Sequence, residues 1–243
     1  MDTVELRGSV ALITGGSKGL GRATALAFAR EGASLALCAR DPGDLESVAA
    51  EVRALGAEPL TVVADLRSER DIERLVVLTL DRFGRVDVLM NNASELGPTP
   101  LPFLADYVPA AFEDVLRVNV VAPFRLTQAL VGGMLQRGSG VILNVSSDAA
   151  VIGYPGWGAY SVSKAALDGL TRTWAAELEG TGVRIHAVDP GDMDTAMHRA
   201  AAPEDDPAGL LDPATAALAF VRVVRDDELP PGRVRGPDLA AAG

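Results

Sequence analysis

Short apolar runs alternate with amphipathic stretches along most of the chain. The runs are Val10–Thr14, Leu35–Cys38, Leu60–Ala64, Val86–Met90, Val141–Val145 and Val183–Val188. Several are continuous rather than alternating, which predicts strands covered on both faces. Between them the apolar positions take helical spacing. Leu45, Val48, Ala49, Val52 and Leu55 share one helical face. Asp41-Pro42 supplies a start for that helix and Gly56 a stop. Ser68 with Asp71 opens the next helix, which carries Ile72, Leu75 and Val76. Asp212-Pro213 caps a last one, with Ala216, Ala217, Phe220, Val221 and Val224 on one side. The tail from Leu229 allows one short strand near Arg233–Gly236. Strand–helix alternation without a linker predicts one α/β domain over residues 1–243, with a parallel sheet between two helical layers.

Two stretches break the pattern. Gly97-Pro98-Thr99-Pro100-Leu101-Pro102 reads as a turn-rich connection. Ala200–Pro213 holds three prolines and four acids. It reads either as a solvated surface loop or as a lid over a ligand.

Composition narrows the partners. A chain of 243 residues is long for one domain at ~150 residues each, yet too short for two of that size. Its 22 Lys+Arg against 33 Asp+Glu give a net charge of −11. That sign argues against nucleic acid or an anionic membrane as the main partner. A single cysteine, Cys38, and two histidines leave little for a metal site, and none is expected. The start, MDTVELRGS, lacks a secretory pattern, and no apolar run approaches the ~20 residues of a membrane helix. The expected location is the cytoplasm.

The first strand runs into Thr14-Gly15-Gly16-Ser17-Lys18-Gly19-Leu20-Gly21, and a helix pattern follows to Arg30 and Gly32. Glycines at 15, 19 and 21 permit a tight turn, close backbone approach to a pyrophosphate, and close helix–strand packing. The helix start then offers free amides and a positive dipole end to phosphate. Gly-x₃-Gly-x-Gly differs from the G-x-G-x-x-G fingerprint.

Tyr160 and Lys164 stand one helical turn apart, at the start of a helix carrying Leu167, Leu170, Trp174 and Leu178. A free phenol is only ~0.1% ionised at pH 7. A nearby ammonium favours the phenolate and makes the tyrosine a usable acid or base.

The glycine spacing resembles that of the short-chain dehydrogenases/reductases. Further motifs fall in that family's order: Asp65 in Ala-Asp-Leu, Asn91-Asn92-Ala93, Tyr160-Ser-Val-Ser-Lys164, and Pro190-Gly191 ending at Thr195. The resemblance runs from about Val10 to about Met197. It implies a single Rossmann-type doubly wound domain with about seven strands. It implies cofactor contacts from Gly15, Ser17, Lys18, Gly19, Leu20 and Gly21. Asp65, with Leu66 beside it, would contact the adenine amino group. Asn91, Asn92 and Ala93 would line the cofactor cleft, joined by Pro190 and Gly191, and Thr195 would hold the nicotinamide carboxamide. Ser147, thirteen residues before Tyr160, takes the family's catalytic serine spacing, with Ser146 as competitor. Asn119 matches the fourth catalytic position, a helix-kink residue that organises water beside the lysine. Lys164 would also bind the nicotinamide ribose. The implied chemistry is reversible hydride transfer between a nicotinamide cofactor and a carbonyl or secondary alcohol, with Tyr160 passing the proton.

The second strand ends Ala39-Arg40-Asp41, without an acid at the place where NAD-preferring relatives put one. Arg40 and Lys18 are placed to take a 2′-phosphate, and Asp41 suits a helix cap, so NADP(H) is expected. The substrate segments supply Val151, Ile152, Tyr154, Trp157, Leu96, Met193, Met197 and His198. That mix suits an apolar or aromatic ketone or aldehyde, although Tyr154 and Trp157 also fit a core. His186, inside a strand run, reads as a satisfied core histidine. Ser94 stands where relatives have glycine, and the C-terminus lacks their Val-Asp-Gly-Gly-like strand. A homo-oligomer, dimer or tetramer, is expected, with the tetramer in question. Two other functions remain open at this level: an epimerase- or dehydratase-like relative, and a redox-inactive nucleotide-binding module.

Overall fold

Seven parallel strands form one sheet in the computed structural model, which describes residues 6–240. They are β1 (Val10–Thr14), β2 (Ser34–Ala39), β3 (Leu60–Val63), β4 (Val88–Asn91), β5 (Gly140–Val145), β6 (Val183–Asp189) and β7 (Gly232–Arg235). Their spatial order is β3-β2-β1-β4-β5-β6-β7. The chain winds outward one way from β1 and then the other from β4, so a crevice opens beyond the carboxyl ends of these two strands. Alternate residues serve opposite faces. Ala11, Ile13, Leu35 and Leu37 join one apolar cluster, and Leu12, Ala36 and Leu89 join the other.

Helices α1 (Gly19–Arg30), α2 (Pro42–Ala54) and α8 (Pro213–Arg225) cover the first face. The second face carries α3 (Glu69–Phe83), α5 (Ala122–Arg137) and α6 (Gly158–Glu177). The remaining helices are α4 (Pro109–Leu116), α7 (Ala196–Ala201) and α9 (Gly236–Ala240). The expected caps form. Asp41 accepts from the Asp44 amide at 2.8 Å, Ser68 from Asp71 at 3.3 Å and Asp212 from Ala214 at 2.9 Å, each worth about 1 kcal/mol.

Three expectations need correction. The run Val86–Met90 becomes a strand only from Val88, because Val86 and Asp87 still belong to the turn leading in. The stretch read as loop over 200–213 is partly helical, with α7 ending inside it and a short 3₁₀ turn at Pro207–Gly209. Finally, α4 and α5 are joined through a π-turn at Arg117–Val121 into one 29-residue helix with a mean hydropathy of 1.2 in its most apolar window. By length and composition this helix is long and apolar enough to cross a membrane. Half of that window is buried here, with Leu126, Leu130 and Met134 packed on the sheet.

Candidate active site

A cleft of about 840 Å³ lies at the carboxyl ends of the central strands. One end is the turn between β1 and α1. Gly15 and Gly19 hold positive φ there, at 64° and 49°. A Cβ on Gly15 would stand 2.9 Å from the Ala93 Cα, and one on Gly21 would stand 2.2 Å from the Gly15 carbonyl. Backbone packs on backbone at these points, leaving no room for a side chain. Asn92 braces the turn, donating to the carbonyls of Thr14 at 2.8 Å and Gly15 at 3.1 Å. Helix α1 has no side-chain cap and no acid in its first turn, unlike α2 and α3. Its first amides therefore face the cleft without a carboxylate competitor, as binding of a pyrophosphate requires.

Ser147, Tyr160 and Lys164 share the opposite wall. Ser147 follows β5, donates to Asp148 Oδ1 at 3.0 Å and accepts from the Ala149 amide at 3.1 Å. Lys164 is fully buried, and its Nζ donates to the Val145 carbonyl at 2.8 Å. Burial pulls its pKa down to about 8, while the Asp168 carboxylate acts in the other direction. Its ammonium lies 5.3 Å from the centre of the Tyr160 ring. The expectation of a depressed Tyr160 pKa is not met. Burial raises the phenol well above its usual range, Asp189 and Asp148 add to this, and the Ser147 and Ser94 hydroxyls only partly oppose it. Desolvation of a phenolate outweighs one ammonium at this distance.

The structure also separates the two serines. Ser146 also borders the cleft, but its hydroxyl is buried and engaged, donating to Asp168 at 2.6 Å and accepting from Arg233 at 2.8 Å. Asn119 sits in the π-turn and stands behind the lining. Its Oδ1 accepts from the Glu95 amide at 2.7 Å, and its Nδ2 donates to the Glu95 carbonyl and the Ser163 hydroxyl, both at 2.9 Å. Asn91 stands behind the lining as well, because its amide is turned inward to Asn144 at 2.8 Å. Gly21 is likewise a packing position.

The other expected residues meet at the cleft: Ser17, Lys18, Leu20, Arg40, Asp65, Leu66, Ala93, Pro190, Gly191 and Thr195. Thr195 caps α7 through the His198 amide at 3.2 Å, and its methyl would stand 3.3 Å from a Cβ on Gly19. The two walls thus close toward each other at this point. Lys18 pairs with Asp44 at 2.6 Å and Arg40 with Glu95 at 3.3 Å, both on the exposed rim. Asp65 accepts from Arg67 Nε and Nη2, and this guanidinium keeps its carboxyl below the usual range.

Tyr154, Trp157, Met193, Met197 and His198 line the same cleft beside Tyr160. Trp157 meets the Tyr160 ring edge-on at 5.6 Å, so both aromatics belong to the site rather than to a separate core. His198 is engaged by Asp205 at 2.9 Å. His186 is buried, yet neither ring nitrogen has a partner among the described residues, so it is not the satisfied histidine expected. Sequence reasoning also missed Arg233, Asp168 and Asp189, which form one network behind Ser147.

The doubly wound sheet, glycine turn and serine–tyrosine–lysine wall define an oxidoreductase fold that takes a nicotinamide cofactor. The chain belongs to the short chain dehydrogenase family, whose model matches residues 9–206. It is 37% identical over 194 residues to the 3-oxoacyl-[acyl-carrier-protein] reductase FabG of Thermotoga maritima, covering 80% of this chain and 78% of that one. It is 36% identical over 226 residues to levodione reductase of Leifsonia aquatica, covering 91% and 82%. A structure from Shigella flexneri 2a, designated a short chain dehydrogenase and complexed with NADP, superposes with a TM-score of 0.88 at 30% identity. That match covers 96% of this chain and 99% of the other.

Proposed function

We propose that the protein transfers hydride between NADP(H) and a carbonyl or secondary alcohol, acting chiefly as a reductase of apolar or aromatic ketones or aldehydes. The observation that carries this reading is the shared wall of Ser147, Tyr160 and Lys164, facing a glycine turn built for a pyrophosphate. When bound, the nicotinamide supplies or accepts the hydride. The glycine turn would hold its pyrophosphate, and Lys164 and Thr195 would hold its ribose and carboxamide.

The chain's own residues manage the oxygen and the proton. The Ser147 hydroxyl turns from Asp148 to donate to the carbonyl oxygen, where negative charge grows. Tyr160 gives its proton to that oxygen. Most of the Lys164 ammonium remains charged at pH 7 with a pKa of about 8, and it steadies the phenolate left behind. Asn119 positions rather than reacts: it ties Glu95 and Ser163 to the π-turn next to this helix.

For the cofactor, the strand end lacks an acid at Ala39, and Asp41 is occupied as a helix cap. Arg40 and Lys18 exchange Glu95 and Asp44 for a 2′-phosphate, a trade that exposed ion pairs allow at little cost. The aromatic and methionine lining favours an apolar substrate. Exposed Val121 and Phe124 on the π-turn and α5, with Val162 on α6, support a homo-oligomer. The test is loss of 340 nm absorbance with NADPH and a panel of neutral ketones and aldehydes. Turnover of aryl or alkyl ketones is expected, and no turnover across the panel with NADPH bound overturns the reading.

A further inference from the structure

The C-terminal strand reaches the candidate site through one side chain. Arg233 on β7 donates from Nη1 to the Ser146 hydroxyl at 2.8 Å and to Asp168 Oδ2 at 2.5 Å. From Nη2 it donates to the Ser147 carbonyl and to Asp189 Oδ2, both at 2.9 Å. These acceptors come from three elements: the end of β5, the middle of α6 and the end of β6. Asp168 and Asp189 are each almost fully buried, so their charges need a partner in place. Asp168 is one helical turn beyond Lys164, and Asp189 opens the Pro190-Gly191 segment of the cleft. A planar fork can satisfy several acceptors at once in a way that an ammonium cannot.

We infer that Arg233 is a positioning residue of the catalytic centre, fixing the Ser147 main chain and screening Asp168 and Asp189 from Lys164 and Tyr160. This rests on the hydride-transfer reading of that wall. The charged groups facing the phenol and its lysine are Lys164 and Asp168 from α6, Asp148 after β5, and Asp189 from β6. Arg233 and Arg235 face them from β7, both acting on Asp189. Three cations thus meet three anions. Removing Arg233 leaves an excess of negative charge behind Tyr160, which disfavours the phenolate and with it the reverse proton transfer. The same loss frees the Ser147 carbonyl and lets the serine hydroxyl drift from its line to the substrate.

The test reads the phenol directly. Tyrosinate absorbance is titrated with NADP⁺ bound, whose positive ring favours the phenolate, and the same trace for Tyr160→Phe is subtracted. Arg233→Met should raise the midpoint by about one pH unit. Arg233→Lys should stay within a few tenths of wild type, and adding Asp189→Asn to Arg233→Met should bring the midpoint back. In ketone reduction, Arg233→Met should lower kcat at least about 30-fold, with KM and NADPH affinity within about threefold. If Arg233→Met does not fold, Asp189→Asn alone should lower the midpoint. An unchanged midpoint in whichever of these variants folds overturns the inference. Shifted midpoints in a protein that turns over no ketone would overturn the hydride-transfer reading and uphold the role of Arg233.

Discussion

Among the described residues Lys164 donates to the Val145 carbonyl at 2.8 Å and not to the hydroxyl of Tyr160, with its ammonium 5.3 Å from the centre of that ring. In this arrangement the lysine acts on the tyrosine through space. The phenol, raised by burial, is a reluctant acid until the cofactor and substrate complete the site. Tyr160→Phe should therefore lower kcat by about 10²–10⁴-fold, while NADPH binds with near wild-type affinity. Steady-state kinetics and fluorescence titration check both halves. Turnover within tenfold of wild type would remove Tyr160 from the mechanism.

The two adjacent serines should separate cleanly. Ser147→Ala removes the hydroxyl proposed to polarise the substrate oxygen, and should cost about 10²–10³-fold in kcat. Ser146→Ala removes a buried hydroxyl bonded to Asp168 and Arg233, and should instead cost about 1–3 kcal/mol of stability. Paired kinetics and denaturant melts decide it, and a reversed pattern would exchange the two roles.

Cofactor preference should follow Arg40 and Lys18. Wild type is expected to favour NADPH over NADH by roughly 100-fold in kcat/KM. Ala39→Asp with Arg40→Val should invert this. Asp41→Asn should leave selectivity nearly unchanged, since that carboxylate is occupied with the Asp44 amide. Equal efficiency with NADH in wild type would mean that an acid on this rim serves the ribose.

Stability should depend on pH through His186. Its folded pKa is pulled down to about 4, chiefly by burial, against about 6.5 in an unfolded chain. The unfolded state therefore binds the proton first. The contribution is complete above pH 6.5 and declines as pH falls toward 4, by roughly 3 kcal/mol in all. Melting curves from pH 4 to 7 should show this slope in wild type and lose it in His186→Leu. Parallel slopes would show that His186 is not the group responsible.

The segment 200–213 offers a fifth measurement. Its base is pinned where Met193 bridges Leu211, with Asp194 donating to Leu211 at 2.9 Å and Leu211 to Asp192 at 2.8 Å. Above that base, His198 and Asp205 hold each other over the cleft. As a lid, the segment should exchange amide hydrogens more slowly once NADP⁺ and a substrate analogue are bound. Equal protection in free and bound protein would make it plain surface.

What was legible in the sequence was local. Strand runs, the glycine turn and the caps at Asp41, Ser68 and Asp212 are each set by residues within a few positions of one another. The Tyr160–Lys164 spacing is of the same kind. Helix α6 shows where this ends. Its apolar pattern is carried by Leu167, Leu170, Trp174 and Leu178. The structure buries Leu167 there, and with it the polar Ser163, Lys164, Asp168 and Thr171. Polar side chains turn inward there because Asn144 bonds Thr171, Ser146 bonds Asp168 and Val145 bonds Lys164. All three partners stand together at the end of β5, 19 to 27 residues away along the chain, beyond the reach of a local helical pattern. Arg233 was hidden for the same reason: an arginine on a short edge strand looks like a solvent residue until its four acceptors are folded around it.

The π-turn at Arg117–Val121 carries one residue more than a plain helical turn would. Each residue advances a helix by about 100°. That single extra residue therefore sets the phase between α4 and α5. It lets Asn119 point toward Glu95 and Ser163 while Leu126, Leu130 and Met134 still land on the sheet. Deleting one residue here would swing all three away together. The insertion works as a gear tooth: the orientation of Asn119 and the seating of the 29-residue helix are timed by the same residue.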